Sequence, residues 1–207
     1  MIILSWNCRG LGHSRAIPSL RDLARVYKPD VIFLFETLAH SQKLEDIRVL
    51  LGFENVFAVD RIGRSGGIGV LWRKSEQVTV TNYSSNHVDL RVSDDMNGEW
   101  RCTGYYGYPE RTRRRDSWNL IRSLAAQSNL PWLCIGDYND MLSTEDKRGR
   151  VEHPPWLLSG FREAIEDSNL TDIPLLGHQF TWERSRGSEN FVEERIDRAM
   201  GTPVMGG

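Results

Sequence analysis

The segment "LCIGDYNDML", residues 133–142, is the most informative part of this sequence for the fold. It predicts a buried strand that leads directly into a polar loop. An apolar run reaches Gly136, and Asp137 and Asn139 follow it before the chain turns apolar again. Protein cores reject carboxylates that have no partner. Either the chain simply leaves the core at this point, or the sheet delivers two polar groups to a functional site.

Other strand-like runs end in polar residues in the same way. "ILSWN" ends in Asn7, "IFLFE" in Glu36 and "GYY" in Tyr106, while "ERID" carries Asp197. Each residue alone has an ordinary explanation as a turn residue, a helix cap or a packed side chain. Their joint occurrence indicates a site, because functional residues of layered α/β folds collect where strands open onto loops. The alternation of helical and strand-like segments predicts an α/β sandwich with face-to-face sheets and outer helices.

The bulk properties are those of one globular domain. The chain has 207 residues, of which 40% are hydrophobic and 26% charged, so it is long enough to bury a sizeable core. We predict a single domain over residues 1–200 and a disordered tail over 201–207, where "GTPVMGG" shows no pattern. Cys8, Cys102 and Cys134 lie apart within apolar runs and are expected to be reduced core thiols.

Neither membrane insertion nor secretion is expected from the sequence. No apolar run approaches the ~20 residues that span a bilayer, and the N-terminal segment "MIILSWNCRG" has no basic leader. We therefore predict a nuclear or cytoplasmic protein.

The chain resembles the endonuclease/exonuclease/phosphatase superfamily, which includes DNase I-like and abasic-site nucleases. It is most similar to the endonuclease domains of plant-type LINE retrotransposons. The matching stretches, in family order, are "LSWNCRGLG", "VIFLFET", "SGGIGVLW", "TGYYGYPE", "IGDYNDML", "EDKRG", "FTW" and "ERIDRAM". The resemblance implies a four-layer, DNase I-like α/β sandwich in a retrotransposon-derived protein that cleaves phosphodiesters of DNA with Mg²⁺ or Mn²⁺.

The resemblance also assigns roles to the strand-end residues. Glu36 resembles the metal-ligating acid, and Asn7 the neighbour that helps to hold metal and phosphate. Tyr106 is similar to the tyrosine that contacts the scissile phosphate. Asp137 matches the aspartate that orients or deprotonates the attacking water, and Asn139 the amide that steadies the phosphoryl oxygens. A hard cation bound by carboxylate oxygens neutralises the anionic phosphodiester, and neutral donors bind phosphate without competing for the cation.

The pattern departs from the family after "ERIDRAM". Asp197 resembles the aspartate that orients a catalytic histidine, an arrangement similar in logic to that of serine hydrolases. The Ser-Asp-His strand that carries this histidine in the family is not in the chain. We therefore expect weakened catalysis. We also expect a missing last core strand and an uncovered sheet edge, where a protein partner or a second copy would pair.

Contact with DNA is predicted at an arginine cluster and at one tryptophan. The segment "ERTRRRD", residues 110–116, contains Arg111, Arg113, Arg114 and Arg115, and guanidinium groups match phosphate geometry. The alternative is a solvated helix start that the two flanking acidic residues stabilise. Trp182 is included because its family counterpart lies close to the site.

Three functions remain open from the sequence. The first is a Mg²⁺- or Mn²⁺-dependent DNA endonuclease, favoured by the retained polar residues. The second is a catalytically degraded relic of a nuclease that binds DNA or a protein, favoured by the absent histidine segment. The third is a phosphatase acting on a small phosphorylated substrate, since one fold hosts several chemistries.

Overall fold

The computed structural model describes residues 1–61, 63, 66–94 and 98–203, with only the backbone of residue 75. It divides into two compact units, Met1–Tyr105 and Tyr106–Gly207. The predicted single domain over residues 1–200 stays a prediction, and each unit is described by itself.

The first unit contains a four-stranded sheet, a three-stranded antiparallel meander and two helices. Its elements are β1 (Ile3–Asn7), α1 (Ala16–Tyr27), β2 (Val31–Phe35), α2 (Ser41–Leu51), β3 (Asn55–Val59), β4 (Ile68–Trp72), β5 (Val78–Ser84), β6 (His87–Asp94) and β7 (Gly98–Tyr106). The sheet has the order β1-β2-β4-β3. Its β1 and β2 run parallel, and its other pairs are antiparallel.

The central strand β2 is buried along its whole length. Successive side chains of a strand point to opposite faces, and here both faces find apolar partners. Ile32 and Leu34 pack in one cluster with Leu20 of α1 and with α2 residues. On the other face Phe33 lies against β7 at Gly104, where an added Cβ would come within 2.2 Å of the Phe33 ring. The sheet of the first unit therefore lies between its helices and its meander.

The second unit contains two helices, three paired antiparallel strands and a three-stranded antiparallel sheet. Its elements are α3 (Arg114–Ala125), β8 (Trp132–Asp137), β9 (Lys147–Arg148), α4 (Pro155–Asp167), β10 (Thr171–Asp172), β11 (Trp182–Arg184), β12 (Val192–Glu194) and β13 (Asp197–Gly201). The three paired strands have the order β10-β13-β8. The three-stranded sheet has the order β11-β12-β9.

The two helices of this unit pack through aromatic side chains. Gly160 of α4 leaves room for Trp118 of α3, since a Cβ at position 160 would lie 2.3 Å from the indole ring. One residue further along α4, Phe161 packs against Tyr138, with ring centroids 5.7 Å apart. These contacts hold α3 against α4, and α4 against Tyr138, the residue that follows β8.

The predicted tail is ordered at its beginning. Gly201 is the last residue of β13. Thr202 exchanges two hydrogen bonds with Trp132, at 2.9 Å through its N–H and at 3.0 Å through its hydroxyl. Its last residues, 204–207, lie outside the described residues. The sheet thus continues past the predicted boundary at residue 200.

Two further sequence expectations concern the cysteines and the membrane. Cys8, Cys102 and Cys134 are free and buried, as predicted. In the part of the chain that the structure describes, no helix combines the length and the apolar character needed to cross a bilayer.

Candidate active site

In the first unit, Asn7 and Glu36 come together at the ends of adjacent parallel strands. The register pairs Asn7 with Phe35, so Glu36 follows at the next position. Asn7 Nδ2 donates a hydrogen bond of 2.9 Å to Glu36 Oε1. Asn7 Oδ1 accepts the N–H of Arg9 at 3.2 Å. The Asn7 amide is thereby oriented by the backbone and in turn orients the Glu36 carboxylate.

Glu36 has a left-handed backbone conformation, with φ +51°. This conformation costs an L-residue ~1–2 kcal/mol and persists only where surrounding structure holds it. The Glu36 carbonyl accepts the N–H of Gly10 at 2.7 Å, and the N–H of Thr37 donates to the carbonyl of Gly67 at 3.1 Å. Glu36 is therefore held in a strained conformation by backbone hydrogen bonds on both sides.

The glycine at position 67 of the "SGGIG" stretch is required by this arrangement. Gly67 has φ +90°, and a Cβ there would lie 2.3 Å from Thr37 Oγ1. A side chain at position 67 would therefore displace the residue that follows Glu36. The sequence alone marks this glycine only as part of a family-like stretch, because the contact with Thr37 that requires it is long-range.

In the second unit, Asp137 and Asn139 form a tight polar loop at the end of β8. Asp137 is 3% exposed, and its Oδ1 accepts the N–H of Asn139 at 2.9 Å. Asn139 has φ +54°, which asparagine tolerates better than most residues. Its Nδ2 donates to the carbonyl of Gly107 at 2.9 Å, and the N–H of Gly107 donates to the Asp137 carbonyl at 2.8 Å. The chain therefore turns back on itself after β8, and hydrogen bonds within the turn and to Gly107 hold Asp137 and Asn139.

Gly107, the residue after β7, lies against this loop and was not among the residues predicted from the sequence. A Cβ at Gly107 would lie 2.2 Å from the carbonyl oxygen of Tyr138. Only glycine allows the backbone to approach so closely. Tyr106, the last residue of β7, is half-buried and directly precedes it. In the sequence this glycine stands between aromatic residues in "YYGYP". The need for glycine arises from the contact with Tyr138, which is distant in sequence and which no local pattern reveals.

Asp197 lies directly opposite Asp137 across β13 and β8. Its backbone is fixed by Thr181, whose Oγ1 accepts the N–H of Ile196 at 3.1 Å and that of Asp197 at 3.0 Å. Two acidic residues directly opposite on neighbouring strands disfavour each other when both are charged. Thr181, in "FTW", is a second positioning residue that the sequence did not reveal.

Trp182 is half-buried and packs against a small apolar cluster. The cluster consists of Met141, Leu158 and Ile196. Met141 follows the polar loop at Asp137–Asn139, and Ile196 precedes Asp197. Trp182 therefore packs against one residue that follows Asp137 and one that precedes Asp197, and its predicted contact with DNA stays a prediction.

Arg113 matches the solvated helix start that the sequence left as an alternative. Its Nε donates to Asp116 at 3.1 Å, and its guanidinium lies 3.5 Å from the ring centroid of Tyr108. Both contacts are near the surface, where an ion pair contributes little to stability. The Arg113 guanidinium already has intramolecular partners.

Arg114 differs from the sequence expectation because it is buried. It is 8% exposed, and its Nη2 donates to the carbonyl of Pro109 at 3.1 Å. Arg111 and Arg115 are exposed. The cluster therefore offers two outward arginines, Arg111 and Arg115, for contact with phosphate, whereas Arg114 points into the second unit.

Asp140 is a buried carboxyl next to Asn139. It is 1% exposed, and its Oδ2 accepts the Trp118 indole N–H at 2.8 Å. Burial raises the pKa of Asp140 to about 6, because removal from water disfavours the charged form. The positive charge of Arg114, the indole N–H and the N–H of Met141 oppose this rise in the pKa.

A buried arginine ties the loop after β8 to strand β13. Arg198 ion-pairs with Asp146 and, at 2.7 Å, with Asp172. Asp146 Oδ2 also accepts the N–H groups of Leu142 and Ser143 at 2.9 Å each. Removing one partner of a buried ion pair leaves an uncompensated charge. Arg198 therefore holds the segment after the polar loop against the strand that begins with Asp197.

The residues fit a magnesium site that has few protein ligands. Among the described residues, no group of three or more His, Cys, Asp or Glu could hold a metal ion together. Mg²⁺ keeps several waters and often takes only one or two carboxylates from a protein. Glu36, whose carboxylate oxygen accepts a hydrogen bond from Asn7, is a hard donor of the required kind.

Comparison with protein families finds one match. The model described as "Endonuclease/Exonuclease/phosphatase family" matches residues 4–205. No curated protein matches the chain.

Solved structures of similar fold cover nearly the whole chain. A 3′ phosphatase, NExo, from Neisseria bound to a product DNA hairpin has a TM-score of 0.72 at 16% identity, covering 99% of this chain and 87% of that one. The endonuclease domain of TRAS1, a telomere-specific non-LTR retrotransposon, has a TM-score of 0.69 at 16% identity, with coverages of 98% and 85%. An AP endonuclease from Archaeoglobus fulgidus has a TM-score of 0.72 at 15% identity, with coverages of 100% and 88%. These likenesses confirm the predicted α/β sandwich fold.

Proposed function

Because the chain belongs to the endonuclease/exonuclease/phosphatase family, we propose that it is a divalent-metal-dependent endonuclease that hydrolyses phosphodiester bonds of DNA. One observation carries the proposal: Glu36 is held at φ +51° with its carboxylate bonded to Asn7. Strained residues of this kind collect at functional sites.

Glu36 is the residue that would hold Mg²⁺ or Mn²⁺. The cation, when bound, would neutralise charge on the phosphodiester and its transition state. Asn7 uses its Nδ2 for Glu36 and its Oδ1 for the N–H of Arg9. We therefore assign Asn7 first to orienting the carboxylate, with contact to metal or phosphate as a further role.

The residues of the second unit supply acid–base and phosphate-binding groups in this proposal. Asp137 orients or deprotonates the attacking water, and Asn139 and Tyr106 donate hydrogen bonds to phosphoryl oxygens. Asp197 shares the acidic pair with Asp137. Arg111 and Arg115 are the exposed arginines available to the DNA backbone.

DNA as the substrate is supported by the relatives. The Neisseria phosphatase of similar fold was solved with a product DNA hairpin, and the TRAS1 domain is an endonuclease. The polar residues at the strand ends that resemble the family's catalytic set are all present in this chain. Their presence favours an enzyme over a degraded binding module, which would have no need of them.

Nicking of supercoiled plasmid with Mg²⁺ or Mn²⁺, against EDTA, tests the proposal. Glu36→Ala should abolish nicking, whereas Glu166→Ala, an exposed acid on α4, should retain it. Equal nicking by the Glu36→Ala variant would remove Glu36 from the metal role. If the folded wild-type protein does not nick DNA with either metal, the proposed activity is wrong and the binding module takes its place.

A further inference from the structure

A groove runs between α3 and α4 on the outer surface of the second unit. It has a volume of about 340 Å³, which is enough for one nucleotide. Residues that line it include Arg115, Trp118, Asn119, Arg122, Trp156 and Glu163. We call it the α3–α4 groove. Gly160 forms part of its floor, and the missing side chain there is what admits the Trp118 ring.

Trp156 presents a large aromatic surface at the rim of this groove. It is 49% exposed, although it stands in the first turn of α4, where Pro155 fixes the backbone. Its ring meets Trp118 edge to face, with centroids 6.1 Å apart and planes at 71°. Such a pair covers at most one face of each ring. At least one face of Trp156 therefore stays outside the contact.

Cationic groups flank the exposed ring. Arg115 is exposed, and in the described part of the chain no acidic group forms an ion pair with it. Arg122 lies further along α3 and ion-pairs with Asp167 at 2.6 Å. Glu163 offers a hydrogen-bond acceptor on the α4 side. An aromatic face, a guanidinium and an acceptor match the base, the phosphate and the amino groups of a nucleotide.

We propose that the α3–α4 groove binds single-stranded DNA, with a base stacked on Trp156 and a backbone phosphate at Arg115. A protein partner fits less well, because interface centres are depleted of charged residues and rich in apolar contact. Here polar and charged side chains surround one exposed ring. Stacking is tolerant of sequence, so the groove would bind strands without reading bases.

Fluorescence anisotropy with labelled oligo(dT) in EDTA tests the proposal, because EDTA removes any metal-dependent cleavage. Trp156→Ala should weaken binding by about 5- to 100-fold, in line with the loss of one stacked base. Trp156→Phe should restore part of the affinity. Arg115→Ala should weaken binding and reduce the salt dependence by about 0.7 in the log–log slope.

Two exposed residues of α1 in the first unit give matched controls. Tyr27→Ala removes an aromatic ring that is 57% exposed, and Arg25→Ala removes an exposed arginine; neither should change affinity. Unchanged binding by Trp156→Ala, or equal losses in the controls, would overturn the proposal. The groove is tested by oligo(dT) binding in EDTA and the proposed nuclease by nicking with metal, so the two proposals can fail separately.

Discussion

Asp140 should make the stability of the protein depend on pH in a direction unusual for a carboxyl. Its folded pKa of about 6 lies above the ordinary value of 3.8, so the folded state keeps this proton after the unfolded state has lost it. Stability from this group is fully present below about pH 3.8 and is lost as pH rises towards 6. Asp140→Asn cannot ionise and should remove this loss.

The magnitude follows from the two pKa values. A rise from 3.8 to about 6 corresponds to ~3 kcal/mol at 1.36 kcal/mol per unit. By the linkage relation, ~2 kcal/mol of this stability is lost as the pH rises from about 4.5 to 7.5. An asparagine can still accept the Trp118 indole N–H, so packing should be little changed.

Urea unfolding of both proteins across this pH range measures the effect. The stability of Asp140→Asn minus that of the wild type should grow by ~2 kcal/mol as pH rises, while groups common to both proteins cancel. Asp46→Asn, an exposed acid on α2, controls for the change in charge. Parallel curves for Asp140→Asn and the wild type would show that burial does not raise this pKa, and would refute the reasoning.

Three further variants test, through stability, the packing and electrostatics of the second unit. In Gly107→Ala the new Cβ would lie 2.2 Å from the Tyr138 carbonyl oxygen, so urea unfolding should show a loss of ~1–3 kcal/mol. The control Gly12→Ala, with open space around its Cβ, should unfold as the wild type does. Arg198→Met removes the buried partner of Asp146 and of Asp172, although Asp172 keeps an ion pair with Arg195 at 3.0 Å. It should cost ~3–5 kcal/mol in the same assay, and a smaller loss would mean that Arg195 or solvent replaces Arg198. Burial, then the charge of Lys147, lowers the pKa of His153 from 6.5 to about 4, so stability from this neutral imidazole is lost as pH falls through that range. His153→Gln should gain stability over the wild type on acidification, and an unchanged difference would contradict the lowered pKa.

Local features of the fold were predictable where neighbouring residues decide them. The buried strand β2 is a continuous apolar run, and α2 ends before Gly52, a residue type that readily adopts the left-handed conformation found there. The C-terminal segment was predicted less well. "VEERIDRAM" reads as one strand but divides into β12 and β13 in different sheets. This division depends on long-range pairing, which periodicity does not encode.

The burial of Arg114 could have been predicted from helical phase. In α3 the buried residues include Arg114, Trp118 and Ile121, spaced as one face of a helix requires. The clustering of arginines indicates a charged surface, and only the helical spacing distinguishes the buried Arg114 from its exposed neighbours. Thr181 and Gly107, in contrast, act through contacts with distant backbone groups, and no local pattern marks them.

The left-handed conformation of Glu36 sets stability and activity against each other. Glycine adopts φ +51° without the penalty that a side chain brings, so Glu36→Gly should be more stable than Glu36→Ala by ~1 kcal/mol. A selection for heat resistance alone would therefore tend to replace the acid on which the proposed chemistry depends. Thermostability engineering of this protein should leave position 36 fixed and seek its gains elsewhere.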